Sequence, residues 1–225
     1  MAHATDARVA LVTGGTAGLG LALTAALAAR GWRVVTDGRG APPPLPGRAS
    51  FLRGDVADPG HRADLATAVR REGRLDLLVH NASTLGRLPM RTLAEVDGAD
   101  LDDAWAVNVR SAHDLNRLLV PLLRESGGTL VSLSSDAAVD HHPTWGPYGA
   151  TKAALDHLTL TWGVESDVRA YAVDPGDMRT RMHQDAFPGE DISDRPLPES
   201  VVPHLLALLD RRPASGRVRA AEVAA

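Results

Sequence analysis

The chain has 225 residues, 44% of them hydrophobic, a formal net charge of −4 and no cysteine. This length buries one substantial core and is most simply one domain spanning residues 1–225. The mild acidity gives no reason to expect nucleic acid or a membrane surface as partner, and the lack of cysteine excludes disulfides and thiol chemistry.

The opening segment Met1-Ala2-His3-Ala4-Thr5-Asp6 has no charged-then-apolar signal pattern, and no apolar run reaches the length of a bilayer span, so a cytoplasmic protein is expected. A strand over 8–12 then leads into Thr13-Gly14-Gly15-Thr16-Ala17-Gly18-Leu19-Gly20 and an alanine-rich helix over 18–30. Strand, glycine turn and helix start form a natural diphosphate cradle. Glycine lets the backbone turn sharply and approach a ligand, while the free N–H groups of the helix attract an anion.

A second strand over 32–36 ends beside Asp37, Gly38 and Arg39. An exposed turn-rich link follows in Ala41-Pro42-Pro43-Pro44-Leu45-Pro46-Gly47. Further strands are predicted over 50–53, 75–79, 128–134, 168–173 and 216–219, and helices over 58–71, 100–124, 147–163 and 199–210. The alternation argues for a parallel sheet covered by helices on both faces. Leu101, Trp105, Val109, Ala112 and Leu115 recur at mostly helical spacing and suit a long buried helix, which Pro121 bends or ends.

Lys152 is the single lysine among 24 basic side chains. Tyr148, one of two tyrosines, lies four residues before it, so on a helix both face one cleft. A phenol titrates near pH 10, and a neighbouring ammonium favours the phenolate.

With these motifs the chain resembles a short-chain dehydrogenase/reductase from about Arg8 to Thr180. The resemblance rests on the Thr-Gly-x-x-x-Gly-x-Gly turn, Asp55-Val56, Asn81-Ala82, Asn108, Ser135 thirteen residues before Tyr148, the Tyr148-x-x-x-Lys152 pair, and Pro175-Gly176 with Thr180. It implies a Rossmann-like doubly wound α/β sheet of about seven strands. It also implies hydride exchange between a nicotinamide dinucleotide and a ketone or aldehyde, or the matching alcohol.

Carried over residue by residue, Tyr148 is the general acid/base and Lys152 lowers its pKa and holds the nicotinamide ribose. Ser135, rather than its neighbour Ser134, donates to the substrate oxygen, and Asn108 holds a water on the proton path. Cofactor contacts fall to Thr13, Gly14, Thr16, Gly18, Leu19, Gly20, Gly38, Arg39, Asp55, Val56, Asn81, Ala82, Tyr148, Lys152, Pro175, Gly176 and Thr180. Counting from Thr13 puts the position that selects the cofactor at Gly38. Glycine followed by Arg39 leaves room and charge for a 2′-phosphate, favouring NADP(H) over NAD(H); a one-residue shift in register would instead present Asp37 and an NAD pocket.

Substrate contacts are expected from Ser135 and Tyr148, from His142 and Trp145 in the loop 136–147, and from Met182 and Phe187 in a lid over 177–198. Adjacent His141 and His142 have no partner ligands in sequence, so no metal is expected. Ser83 stands where the family has a glycine, and the interval from Tyr148 to Pro175 is about three residues short, trimming the helix after Lys152 or its loop. Pairing through the two long helices implies a homodimer, or a homotetramer if the C-terminal strand adds a second interface. The rival reading is a cofactor-binding protein of this fold without redox turnover.

Overall fold

A computed structural model describes residues 7–225; Met1–Asp6, on which the absence of a signal pattern was read, lie outside the described residues. In chain order the elements are β1 (Val9–Val12), α1 (Gly18–Ala29), β2 (Arg33–Gly38), β3 (Ala49–Arg53), α2 (Pro59–Arg71) and β4 (Leu77–His80). Then come α3 (Gly98–Trp105), α4 (Ser111–Glu125), β5 (Thr129–Leu133), α5 (Gly146–Ser166), β6 (Arg169–Asp174), α6 (Arg181–Ala186), α7 (Val202–Arg211) and β7 (Gly216–Arg219).

The strands form one parallel sheet in the order β3-β2-β1-β4-β5-β6-β7, a Rossmann-like doubly wound arrangement. Side chains alternate between its faces. Ala10, Val12, Leu77, Val79, Val131, Leu133 and Val173 pack with α1 and α7, whereas Val9, Leu11, Leu78, Leu130 and Ala170 pack with α2 and α4. Covering both faces explains why β1 and β4 read as unbroken apolar runs.

One expectation is corrected, and two alternatives that the sequence left open are narrowed. The predicted helix over 100–124 is α3 and α4 joined by a π-helical stretch, Ala106–Arg110. The wider turn rotates the face of the first half, so Leu101 and Trp105 are exposed while Val109, Ala112 and Leu115 are buried. Pro121 does not end the helix, which continues to Glu125. The shortening after Lys152 falls on the connection: α5 runs to Ser166, and the single left-handed Asp167 (φ 55°) closes it almost directly onto β6. No helix among the described residues is long and apolar enough to cross a membrane.

Candidate active site

Between β1 and β4 the order of the sheet reverses, and parallel α/β sheets open a crevice at the carboxyl ends of the strands there. A cavity of about 720 Å³ occupies that place. It draws together most of the residues singled out from sequence: Gly14, Thr16, Gly18, Leu19, Gly38, Arg39, Asp55, Val56, Asn81, Ala82, Ser135, Trp145, Tyr148, Lys152, Pro175, Gly176, Thr180 and Met182 all line it. Thr13, Gly20 and Asn108 stand behind this wall. His142 does not line the cavity; its ring lies 3.5 Å from Asp136 in the loop, on the solvent side.

Thr13 and Asn81 lock the glycine turn across the reversal. Thr13 Oγ1 accepts from the backbone N–H groups of Asn81 (3.0 Å) and Ala82 (3.1 Å), and Asn81 Nδ2 donates to the carbonyls of Thr13 (2.8 Å) and Gly14 (3.0 Å). Gly20 exists for this contact: a Cβ there would sit 2.3 Å from Asn81 Nδ2 and 2.5 Å from the Gly14 carbonyl. Gly14 itself has φ +66°, where a side chain is strained. Beyond the turn, α1 begins with no side-chain cap and no acid in its first turn, leaving its N–H groups facing the cavity. An anion fits that end.

At the end of β2, Asp37, Gly38 and Arg39 all line the cavity. Asp37 is buried; its Oδ1 accepts from Gly14 N (2.7 Å) and its Oδ2 pairs with His61 Nε2 (2.9 Å). Burial raises its pKa, against the opposing pull of the Gly14 N–H and His61. The carboxylate is thus held by Gly14 and His61, while Gly38 and the exposed Arg39 follow it along the cavity, with Arg39 Nη1 3.9 Å from Asp55.

At the other end of the cavity, α5 places Tyr148 and Lys152 on one buried face. Lys152 Nζ donates to the Leu133 carbonyl (2.7 Å) and stands 5.5 Å from the centre of the Tyr148 ring. Ser134 is turned inward, donating to Asp156 Oδ2 (2.7 Å), whereas Ser135 lines the cavity with Tyr148 and donates to Asp136 Oδ1 (2.9 Å). The π-helical stretch aims Asn108 at the same place. Its Nδ2 donates to Thr84 O (2.8 Å) and Thr151 Oγ1 (2.9 Å), and its Oδ1 accepts from Thr84 N (2.8 Å) and Ser83 Oγ (3.1 Å).

Ser83 and Thr151 are the polar contributors that sequence reasoning left out. Thr151 donates to the Tyr148 carbonyl (2.7 Å), joining Asn108 to α5. Ser83, noted from sequence only as a departure from the family's glycine, lines the cavity and donates to Asn108 Oδ1 (3.1 Å).

Burial dominates the protonation of this pair. Tyr148 is pushed up to about 12 by desolvation, against the hydrogen bonds from Ser135 and Ser83 and with Asp136 and Asp174 adding to the rise. Lys152 is pushed down to about 8 by desolvation, with Asp156 opposing. Burial thus acts on Tyr148 in the direction opposite to the lowering by Lys152 that the family resemblance implies.

The remaining wall is apolar and aromatic. Trp145 packs edge-on to Tyr148 at 5.6 Å between ring centres and meets Phe187 at 5.8 Å, while Phe187 lies 4.8 Å from His183. Met182 packs beside them; Phe187 acts from behind Trp145 rather than at the cavity surface. The segment read as a lid contains a helix that its polar composition concealed, α6, capped by Thr180 Oγ1 accepting from His183 N (3.2 Å).

A sequence model described as short chain dehydrogenase matches residues 8–191. The bovine dehydrogenase/reductase SDR family member 4 is 34% identical over 189 residues, covering 78% of this chain and 67% of its own length. A solved structure from Pseudomonas syringae, assigned to the short chain dehydrogenases, superimposes with a TM-score of 0.85 at 33% identity over 95% of this chain and 94% of that one. A crystal structure from Escherichia coli CFT073 in complex with NADPH does so with a TM-score of 0.85 at 28% identity, covering 95% and 96% of the two chains.

Proposed function

This chain is a member of the short-chain dehydrogenase/reductase family, and from that membership we propose that it is an NADP(H)-dependent oxidoreductase that reduces a ketone or aldehyde. The observation that carries the reading is the placing of Tyr148, Ser135 and Lys152 together on the wall of the cavity that also receives the glycine turn, with Lys152 Nζ 5.5 Å from the Tyr148 ring centre. Bound nicotinamide dinucleotide would supply the hydride. Gly14, Thr16, the start of α1 and Pro175-Gly176 would hold it, and the E. coli neighbour's NADPH supports the choice of cofactor.

Ser135 donates a hydrogen bond to the substrate oxygen as negative charge develops on it, and Tyr148 delivers its proton to that oxygen. A phenol held near pKa 12 stays protonated through the neutral range, which suits an acid in the reducing direction. Lys152 supplies positive charge behind Tyr148, and Asn108 with Thr151 holds that part of α5 in register. Trp145 and Met182, with Ala186 of α6, form an apolar cover that keeps water from the reacting carbon.

The NADP preference rests on Asp37 being spent inside the fold while Gly38 and Arg39 face outward. Titrating the purified protein with NADPH and NADH, following quenching of its four tryptophans, is expected to give much tighter binding of NADPH. Binding of neither dinucleotide would leave the non-redox reading. The exposed Leu101 and Trp105 of α3 and Val164 of α5 support pairing of two copies through these helices. Sedimentation equilibrium is expected to return the mass of a dimer, and a monomer at micromolar concentration would count against it.

A further inference from the structure

One side chain under the active site comes from a part of the chain beyond the residues the family model matches. Arg217 of β7 reaches beneath the ends of β5 and β6. Its Nη2 donates to the Ser135 carbonyl (2.8 Å) and to Asp174 Oδ2 (3.3 Å), and its Nε donates to Asp156 Oδ2 (3.2 Å). One planar fork thereby ties together the strand end carrying Ser135, the helix carrying Lys152 and the strand end leading to Pro175-Gly176.

Among the described residues, Arg217 is the cation that approaches both acids most closely, at 3.2 Å from Asp156 and 3.3 Å from Asp174. Asp156 lies one helical turn after Lys152, and its second oxygen, Oδ1, is buried without a hydrogen-bond partner. Asp174 is buried at the end of β6, where its Oδ1 accepts from Gly176 N (3.1 Å). The charged and titratable groups of this site are Lys152, Tyr148 and Asp156 on α5, Asp174 on β6, Arg217 and Arg219 on β7, and Asp136 in the turn after Ser135. Arg219 is more exposed and stands 3.9 Å from Asp174.

We propose that Arg217 is a positioning residue for this site: it pins the Ser135 backbone and balances Asp156 and Asp174, so that the C-terminal strand sets the electrostatic environment of Lys152 and Tyr148. The proposal rests on the catalytic assignment of Ser135, Tyr148 and Lys152 above. Its electrostatic side is consistent with the directions already described: Asp156 supports the ammonium of Lys152 against burial, and Arg217 holds the Asp156 carboxyl down against burial.

The signs of the consequences are opposite for the two partners. Removing the positive charge of Arg217 leaves the carboxylates facing Lys152 alone and removes a like charge, so the ammonium persists to higher pH. Removing the Asp156 charge withdraws support from the ammonium, so it is lost at lower pH.

Because Lys152 is the chain's sole lysine, protein labelled with ¹³C-lysine gives one set of lysine resonances, and the Cε shift against pH reads this residue without substrate or cofactor. The wild-type midpoint is expected at about 8. Arg217→Gln is expected to move it up by on the order of one pH unit, Asp156→Asn to move it down, and the double variant to return it toward wild type. A purely structural brace would lower the melting temperature of each variant without this pattern of signs. An unmoved midpoint in Arg217→Gln, or displacement of both single variants in one direction, overturns the proposal. Should Arg217→Gln not fold, an unchanged midpoint in Asp156→Asn overturns it and a fall sustains it. The expected titration pattern in a protein that binds neither NADPH nor NADH would sustain the electrostatic brace and sink the reductase reading separately.

Discussion

Replacing Tyr148 by phenylalanine is expected to lower NADPH-dependent carbonyl reduction by roughly a thousandfold while NADPH binding stays within a few-fold of wild type. The substitution keeps the ring that packs against Trp145 and removes only the hydroxyl. Among the described residues lining the cavity, no other donor combines that position with a transferable proton: Ser135 donates to Asp136 (2.9 Å), and Lys152 is engaged with the Leu133 carbonyl. Stopped-flow measurement of NADPH oxidation checks the rate and fluorescence titration checks the binding. Turnover within tenfold of wild type would remove Tyr148 from the acid role.

The pH dependence follows from the same pair. Reduction requires protonated Tyr148, a condition met until pH approaches about 12. It also uses the ammonium of Lys152, which is lost as pH rises through about 8. The reductive rate should therefore be level through the neutral range and decline above it, whereas alcohol oxidation, which needs the phenolate, should rise toward alkaline pH.

The sheet was legible because strands buried on both faces leave continuous apolar runs, and the glycine turn because Gly14 and Gly20 occupy positions where a side chain strains the backbone or collides with it. Tyr148 and Lys152 were legible because helical spacing alone places residues four apart on one face. What sequence could not reveal involves geometry that no local period encodes. The π-helical stretch at Ala106–Arg110 shifts the helical phase by a fraction of a turn, turning Trp105 outward and Asn108 inward, and nothing in its composition distinguishes it from ordinary helix. Arg217 acts across 82 positions on Ser135. The protonation of Tyr148 depends on how deeply the ring is buried, which outweighed the neighbouring charge that could be read from the sequence.

Arg39→Ala is expected to weaken NADPH roughly ten- to fiftyfold while leaving NADH nearly unchanged. Only NADPH carries the 2′-phosphate, so only NADPH loses a charge-assisted partner when the guanidinium goes. Arg39 is exposed and its single acidic neighbour, Asp55, is distant at 3.9 Å, so the guanidinium is free to turn to a phosphate without breaking a strong ion pair. That exposure also tempers the effect through solvent and salt screening, and the wild-type preference for NADPH should narrow as ionic strength rises. Gly38→Asp would test the same site less cleanly, because a Cβ at Gly38 would lie 2.5 Å from Thr16 Oγ1 and disturb the glycine turn for both dinucleotides. Parallel titrations of wild type and Arg39→Ala with NADPH and NADH decide the matter. Equal losses for both cofactors would mean that Arg39 supports the shared diphosphate or adenine, and the 2′-phosphate would have to be held elsewhere along the cavity mouth.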